Sequence, residues 1–593
     1  MPLRLILLAG LLARFAVSAV LPAPEQFFGH KIGADRTVLD WDRVVAYFRA
    51  LESGGASLRV SEVGRSTEGR PFIAVLISSP QTLRDLERYR GIQEKLADPR
   101  LTSPAESAAL IAGGKAVVMI TCSIHSTELA STHTAVEFTY RLLTEKSAKF
   151  DAILRETIFI LVPSLNPDGL DLVTRWYRKT VGTPFEGTEP PELYHKYVGH
   201  DNNRDWYIFS QQETRLTISQ LQNVWHPQIV YDVHQMGRYG SRMFVPPWLD
   251  PIEPNIDPVI VQQCNSFGAG MAADLTAAGK TGIAINAMYD FWTPARHYQA
   301  YHGGLRILTE SASARLASPV AVLPEQILRT AHGYNPREKS WNHLEPWLGG
   351  EWRLRDIIDY QEIAWESLLF QAAVRREDLL RNFYNIGLRA LARSAPYAFV
   401  VPERQPDPGA TRKLLETLAF GEVEIERAEE AFRAGGIEYP AGSYVIRLAQ
   451  PYGAFAKTLL ERQRYPDLRQ YPGGPPRRPY DVTAHTLPLL MGVDVDQIAA
   501  PFNARLTRAT RFDPPAGTPA VLPAGDTATW PAVNRIWKTG ASVWRDPRTG
   551  DFHRSAGGGS GLKEIRRPRL GLYRSYQPSI DEGWTRWLLE QFG

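Results

Sequence analysis

The sequence predicts an α/β chain, with buried strands alternating with helices, and three observations carry the prediction. Ala116-Val117-Val118-Met119-Ile120-Thr121-Cys122 is apolar without alternation, as in a strand covered on both faces, and a helical pattern follows it from Glu128 onward. Ile229-Val230-Tyr231 and Leu305-Arg306-Ile307-Leu308 repeat the strand signal further along. Each run is followed by a residue able to do chemistry: His125, His234 and Glu310. Open α/β sheets place their sites beyond such strand ends.

The elements follow in order. Met1-Pro2-Leu3-Arg4 sets a basic residue before the short apolar run Leu5 to Ala13, and Val17-Ser18-Ala19 offers a cleavage site. Residues 1–23 therefore read as a secretory signal peptide, too short for a membrane span and interrupted by Arg14. A secreted or periplasmic protein without stable membrane insertion is expected. Val44, Val45, Tyr47, Phe48 and Leu51 mark one face of a helix before Gly64. From Asp356 to Ala392 a long helical pattern, carrying Ile357, Ile358, Ile363, Ala364, Leu368 and Leu369, closes a first domain over 24–394. Pro396 opens a smaller accessory α/β region, 395–561. It holds a strand at Tyr397-Ala398-Phe399-Val400-Val401, a loop from Pro402 to Thr411 and a helix from Lys413 to Phe420. Further strands are expected from Glu422 to Arg427 and from Gly442 to Arg447. Pro472 to Pro476, Pro514 to Pro523 and Gly557 to Gly561 have loop or linker composition. Residues 562–593 add a strand at Leu570-Gly571-Leu572-Tyr573 and a helix capped by Ser579 or Asp581, with Ile580, Trp584, Trp587 and Leu588 at helical spacing.

Composition excludes some classes. With 67 Lys and Arg against 64 Asp and Glu the net charge is +3, which gives no reason to expect nucleic acid or an anionic membrane as partner. A chain of 593 residues, 44% hydrophobic, can bury more than one core. The two cysteines, Cys122 and Cys264, do not look like a disulfide framework. Cys122 reads as a small buried hydrophobe, and a bond to Cys264 stays open.

The chemistry starts at His125-Ser126-Thr127-Glu128. One imidazole nitrogen and one carboxylate aimed into the same space suit Zn²⁺, which takes a third protein ligand and leaves a fourth position open in a catalytic site. Alone the match is weak, since a chain with 13 His gives about one such pair by chance. Downstream stand Asn166-Pro167-Asp168-Gly169, Arg175-Trp176-Tyr177-Arg178-Lys179, Asp201-Asn202-Asn203-Arg204-Asp205-Trp206, Tyr231-Asp232-Val233-His234 and Leu308-Thr309-Glu310.

In this order and spacing the motifs resemble the zinc metallocarboxypeptidases of the carboxypeptidase A/B family, over roughly Gly64 to Ala314, beginning at Gly64-Arg65-Ser66-Thr67-Glu68-Gly69-Arg70. The resemblance implies a mixed sheet flanked by helices on both faces. It implies one Zn²⁺ per chain held by His125, Glu128 and His234, with Asp201 accepting the other ring N–H of a ligand histidine. Glu310 matches the general base that activates water. Arg178 matches the cation that stabilises the oxyanion, and Asn203 with Arg204 the pair that grips the substrate's C-terminal carboxylate. Tyr289 stands nearest the family's mobile tyrosine, with Tyr298 and Tyr301 as competitors. Ungapped counting back from Glu310 puts Ala295 at the pocket floor, beside Arg296.

Two departures are visible. Thr127 stands where the digestive enzymes carry an arginine, and Gln235-Met236 replaces the Ser-Tyr pair expected after His234. The final β–α step resembles the start of an amidotransferase-like α/β domain and suggests a truncated chain; its alternative is a terminal helix docking back. The expected function is removal of C-terminal residues from peptides or proteins with a free C-terminus. The alternatives are a zinc amidase or deacylase acting on acyl-amino acids or cell-wall peptides, and a non-catalytic peptide-binding relative.

Overall fold

The computed structural model describes residues 21–481, 484–512, 519–558 and 561–593. The signal-peptide reading, over 1–20, lies outside the described residues. Helix α1, Trp41–Gly54, buries Val44, Tyr47, Phe48 and Leu51 along the face its periodicity marks. The strands are β1 Leu58–Arg65, β2 Pro71–Ile77, β3 Ala116–Cys122, β4 Thr157–Val162, β5 Ile229–Met236, β6 Met243–Phe244, β7 Ile283–Ala284 and β8 Leu305–Ala312. They form one eight-stranded sheet, in the order β1-β2-β4-β3-β5-β8-β6-β7. Its centre, β4-β3-β5-β8, is parallel, whereas β1, β2 and β4 pair antiparallel at one side and β6 runs antiparallel to β8 at the other. The sheet is mixed, and flanking helices cover it.

The parallel centre is what the apolar runs require. Every residue of β3 and β4 is buried, so neither strand could face water. Helices α2 Ala130–Thr144, α3 Ala148–Glu156, α4 Pro167–Thr180, α5 Pro258–Ala277, α6 Leu354–Val374 and α7 Arg376–Leu391 complete the layers. The helical pattern from Asp356 to Ala392 is two helices, broken at Arg375 where φ −105° and ψ 18° leave the helical region.

Beyond residue 395, β9 Ala398–Val401, β10 Glu426–Ala428, β11 Tyr444–Arg447, β12 Asp496–Ile498 and β13 Leu506–Arg508 form a second sheet, ordered β12-β9-β11-β10-β13. Helix α8 spans Pro408–Phe420, so part of the expected loop is its first turn, with the Asp407 side chain accepting from Ala410 N–H and Pro408 opening the helix. This region is no satellite. Phe399, Val401, Leu414, Leu418, Phe455 and Leu459 lie in one continuous core with the strands of the main sheet. The Phe455 ring meets Tyr298 at 5.5 Å, and Arg100 pairs with Glu424 at 2.6 Å.

A four-stranded sheet, β14 Val521–Leu522, β15 Val543–Arg545, β16 Phe552–His553 and β17 Lys563–Ile565, has its own small core of Leu522, Val533, Val543 and Phe552. The strand expected at Leu570–Tyr573 does not form, and Leu570 and Tyr573 are exposed. Its apolar residues face water, and among the described residues no strand pairs with that segment. The terminal helix, Ile580–Phe592, docks on the first domain: Arg586 donates to Lys196 O at 2.7 Å, and Tyr197 Oη donates to Glu590 at 2.6 Å. Gly583 permits this approach, because a Cβ there would sit 2.0 Å from Tyr197 O.

Candidate metal centre

The site begins where β3 ends. Ser123 takes φ 47°, and its N–H donates to Ser131 Oγ at 3.0 Å, so the chain turns sharply out of the sheet. The turn is closed by Glu128 N–H donating to His125 O at 2.9 Å. His125 Nδ1 then lies 2.9 Å from Glu128 Oε1, and His234 Nδ1 3.1 Å from Glu128 Oε2. One ligand atom from each of His125, Glu128 and His234 falls within 4.8 Å of the others. Gln235, in place of the expected serine, ties the group together: its N–H donates to Glu128 Oε2 at 2.9 Å while its Oε1 accepts from Ala130 N–H.

Two imidazoles and one carboxylate, converging from two strand ends and a turn, are a donor set that fits Zn²⁺. The electrostatics agree. Burial opposes ionisation of Glu128, yet His125 and His234 hold its carboxyl down to about 2. Burial likewise opposes a charged His234, yet Asp232 and Glu128 on its two sides raise it well above the ordinary imidazole range. Such an excess of negative charge draws protons when no dication neutralises it.

The carboxylate behind the ligands is not the one the motif pattern suggests. Asp232 Oδ2 lies 2.6 Å from His234 Nε2 and accepts its N–H, which leaves Nδ1 as the donor atom towards Glu128. Asp201 bonds neither ligand histidine: His125 Nε2 is buried without a hydrogen-bond partner, and the contacts of His234 Nε2 are Asp232 and Asn203. The assignment of that role to Asp201 is therefore corrected. The signal for Asp232 is present in Asp232-Val233-His234, since residues two apart on a strand share a face. Arg306 donates to the same Asp232 oxygen at 2.5 Å and, through Nη1, to Tyr289 Oη at 3.2 Å. Tyr289 is thereby linked to the ligands, whereas Tyr298 Oη donates to Asn223 and the Tyr301 ring packs near Phe455.

Glu310 sits in β8 directly beside His234 in the parallel register with β5. Burial pushes its carboxyl up to about 8, with the Glu128 and Asp232 charges adding to the effect and His234 opposing it. Asn203 reaches the same group, but its amide is engaged: Nδ2 donates to Asp232 at 3.3 Å and Oδ1 accepts from Trp206 Nε1 at 2.7 Å. Arg204 donates to Asn203 O at 2.9 Å and pairs with Asp481, a residue from beyond the first domain.

Arg178 is not brought to the group. Helix α4 continues to Thr180, and on its last turn the Arg178 guanidinium, half exposed, pairs with Asp40 and donates to Val38 O at 3.1 Å. The oxyanion role expected of it is corrected accordingly. The other motif residues build the frame. Asn166 caps α4 through Gly169 N–H at 3.0 Å and donates to Tyr194 O at 3.1 Å. Asp168 accepts from Ser66 Oγ at 2.6 Å, Glu68 N–H at 2.9 Å and Arg70 at 2.9 Å, which fastens the Gly64–Arg70 turn to that cap. Asn202, which the motif comparison left without a role, donates to Ile124 O at 2.6 Å beside His125. Both cysteines are free and buried.

Residues 44–230 match the sequence model of the zinc carboxypeptidase family. The match includes His125 and Glu128 and stops short of His234. No curated protein matches the chain in sequence. Among solved structures, carboxypeptidase A from Helicoverpa armigera is similar at 15% identity and TM-score 0.35, covering 58% of this chain and 74% of that one. A metallo-carboxypeptidase from Burkholderia cenocepacia gives 14% identity and TM-score 0.34, covering 58% and 70%. One from Pseudomonas aeruginosa gives 13% and 0.34, covering 57% and 68%. Among the described residues, no helix is long and apolar enough to cross a membrane. Over residues 44–230, then, the chain is similar in sequence to the zinc carboxypeptidase family.

Proposed function

We propose that this protein is a secreted or periplasmic metallocarboxypeptidase that hydrolyses the C-terminal peptide bond of peptides, with His125, Glu128 and His234 holding one Zn²⁺ and Glu310 acting as general base. The observation that supports it most is the convergence of two imidazoles and a carboxylate, with the half-buried Glu310 beside His234, in a chain whose residues 44–230 match the zinc carboxypeptidase family. Zn²⁺ bound there supplies Lewis acidity, lowering the pKa of water and polarising a carbonyl.

The chain's own residues do the rest. Asp232 fixes the tautomer and orientation of His234. Glu310, beside His234 in the sheet, is placed to accept a proton from water and return it to the leaving amine. Arg204 offers a guanidinium to the substrate's terminal carboxylate, a pairing that gains from the fork geometry. Tyr289 accepts a hydrogen bond from Arg306, which ties it to Asp232 and His234. In this reading residues 24–394 are the peptidase domain, and 395–561 and 562–593 pack on it.

The test is a time course on an unblocked peptide followed by mass spectrometry. Residues should leave one at a time from the C-terminus, activity should vanish with a chelator, and zinc should restore it. Internal cuts, or turnover indifferent to chelation, would overturn the reading.

A further inference from the structure

Resting on the carboxypeptidase reading, we propose that Arg296 joins Arg204 as the cation pair that seats the substrate's C-terminal carboxylate, and that Asp481 occupies this seat until substrate displaces it. Asn203 is poorly placed to be the second donor, because its amide is turned to Asp232 and Trp206. Arg296 is better placed. Asp481 Oδ2 is in ion-pair contact with Arg204 Nε and lies 3.4 Å from Arg296 Nε, so the two guanidiniums face one carboxylate from two sides.

Arg296 is buried, with a side chain 2% exposed, and among the described residues its Nε and Nη1 make no hydrogen bond. A guanidinium so desolvated calls for an anion. Asp290 supplies one at Nη2, 3.1 Å away, and the rings of Tyr289 and Tyr480 cover the cation at 4.3 and 4.9 Å. Among the described residues, Arg204 and Arg296 face Asp481, and Arg296 also faces Asp290. Taking Asp481 away leaves one uncompensated positive charge, which a single peptide carboxylate restores.

The seat belongs to the same neighbourhood as the metal ligands. Arg204 follows Asn203, which contacts His234, and Tyr289 connects through Arg306 and Asp232 to His234. Asp481 arrives from the C-terminal region. Its neighbour Tyr480 lies on Tyr289 at 4.9 Å, and Tyr480 N–H donates to Asp290 at 3.3 Å. Binding a peptide therefore means lifting this segment off the pocket, and the apparent affinity falls by the fraction of time the seat is open.

Steady-state kinetics on a free-acid peptide and its amidated twin, with the zinc-loaded full chain, tests this with opposite signs. Asp481→Asn should lower KM for the free acid by about 10- to 100-fold, the range for a seat open roughly 10% to 1% of the time. Arg296→Gln should raise KM at least tenfold with zinc content unchanged. An unchanged or higher KM for Asp481→Asn overturns the proposal, as does a parent-like KM for Arg296→Gln. If the parent itself treats free acid and amide alike, the carboxypeptidase reading falls and this proposal with it. If only the free acid is cut and Asp481→Asn behaves as the parent, this proposal falls alone.

Discussion

Replacing Asp232 by Asn separates the observed site from the one the motif order suggests. The carboxylate lies 2.6 Å from His234 Nε2 and 2.5 Å from Arg306 Nη2, and both partners are nearly fully buried. Asn keeps an oxygen that accepts the imidazole N–H but removes the charge that makes the ring a stronger donor to metal. Losing such an outer partner lowers metal affinity by about 10- to 100-fold, or about 1.4 to 2.7 kcal/mol. Arg306, 3% exposed, then lacks its carboxylate. An uncompensated buried charge costs about 3–5 kcal/mol of stability. The double variant Asp232→Asn/Arg306→Met removes that charge as well, so stability should recover while zinc affinity stays low. Competition with a chromophoric chelator reads the first quantity and urea unfolding of the same proteins the second. Asp201→Asn is the control and should leave zinc affinity at the parent value. If Asp201→Asn weakens zinc tenfold while Asp232→Asn does not, the assignment is wrong.

Three further outcomes are expected. Glu310→Gln should retain zinc, by elemental analysis, and lose about 10²–10⁴-fold in kcat, the range for a removed general base; near-parent turnover would remove Glu310 from the chemistry. Gly169→Ala places a Cβ 2.2 Å from Tyr194 O and 2.3 Å from Ser126 Oγ, so the Asn166 cap should shift and thermal unfolding should show a loss of about 1–3 kcal/mol; an unshifted unfolding temperature would argue against this packing. Glu422 is held up to about 7 by burial, with Oε2 lacking a hydrogen bond. Its folded pKa is raised, so its contribution to stability is complete below the unfolded value near 4.3 and lost as pH rises through 7. Glu422→Gln should therefore gain up to about 3 kcal/mol over the parent at pH 8 and nothing at pH 4, measured by denaturant unfolding at both pH values.

Much of this was legible in the chain because the physics is local. A strand buried on both faces has to be apolar throughout, so β3, β5 and the start of β8 announce themselves, and the residues after them fall at one level of the sheet. That His125 and His234 stand at neighbouring strand ends follows from the same logic, whereas their reading as ligands together with Glu128 rests on the motif order. Arg178 shows where local reading stops: whether α4 ends before it or carries it on a last turn towards Asp40 depends on a partner far away in sequence. Asp201 and Asp232 are both acids near a ligand motif, and Asp232 is the one that stands two residues from His234 on β5 and shares its face. The first turn of α8 was readable, since Asp407-Pro408 is a capping pair, but its proline and glycine also look like a loop. Nothing local announces Asp481, which meets Arg204 only because the segment after Leu460 folds back over the first domain. The apolar run Leu570–Tyr573 misled for the opposite reason, having strand composition but no neighbouring edge.

The most direct measurement compares the zinc-loaded protein on a free-acid peptide and on the same peptide amidated at its C-terminus. With Arg204 seating the terminal carboxylate, the amide leaves a desolvated cation without its anion, a loss of about 2–5 kcal/mol. The amidated twin should then be cut about 30-fold to several thousand-fold more slowly in kcat/KM, at about 1.4 kcal/mol per tenfold. Equal rates on the two peptides would contradict carboxypeptidase action while leaving the His125–Glu128–His234 group intact.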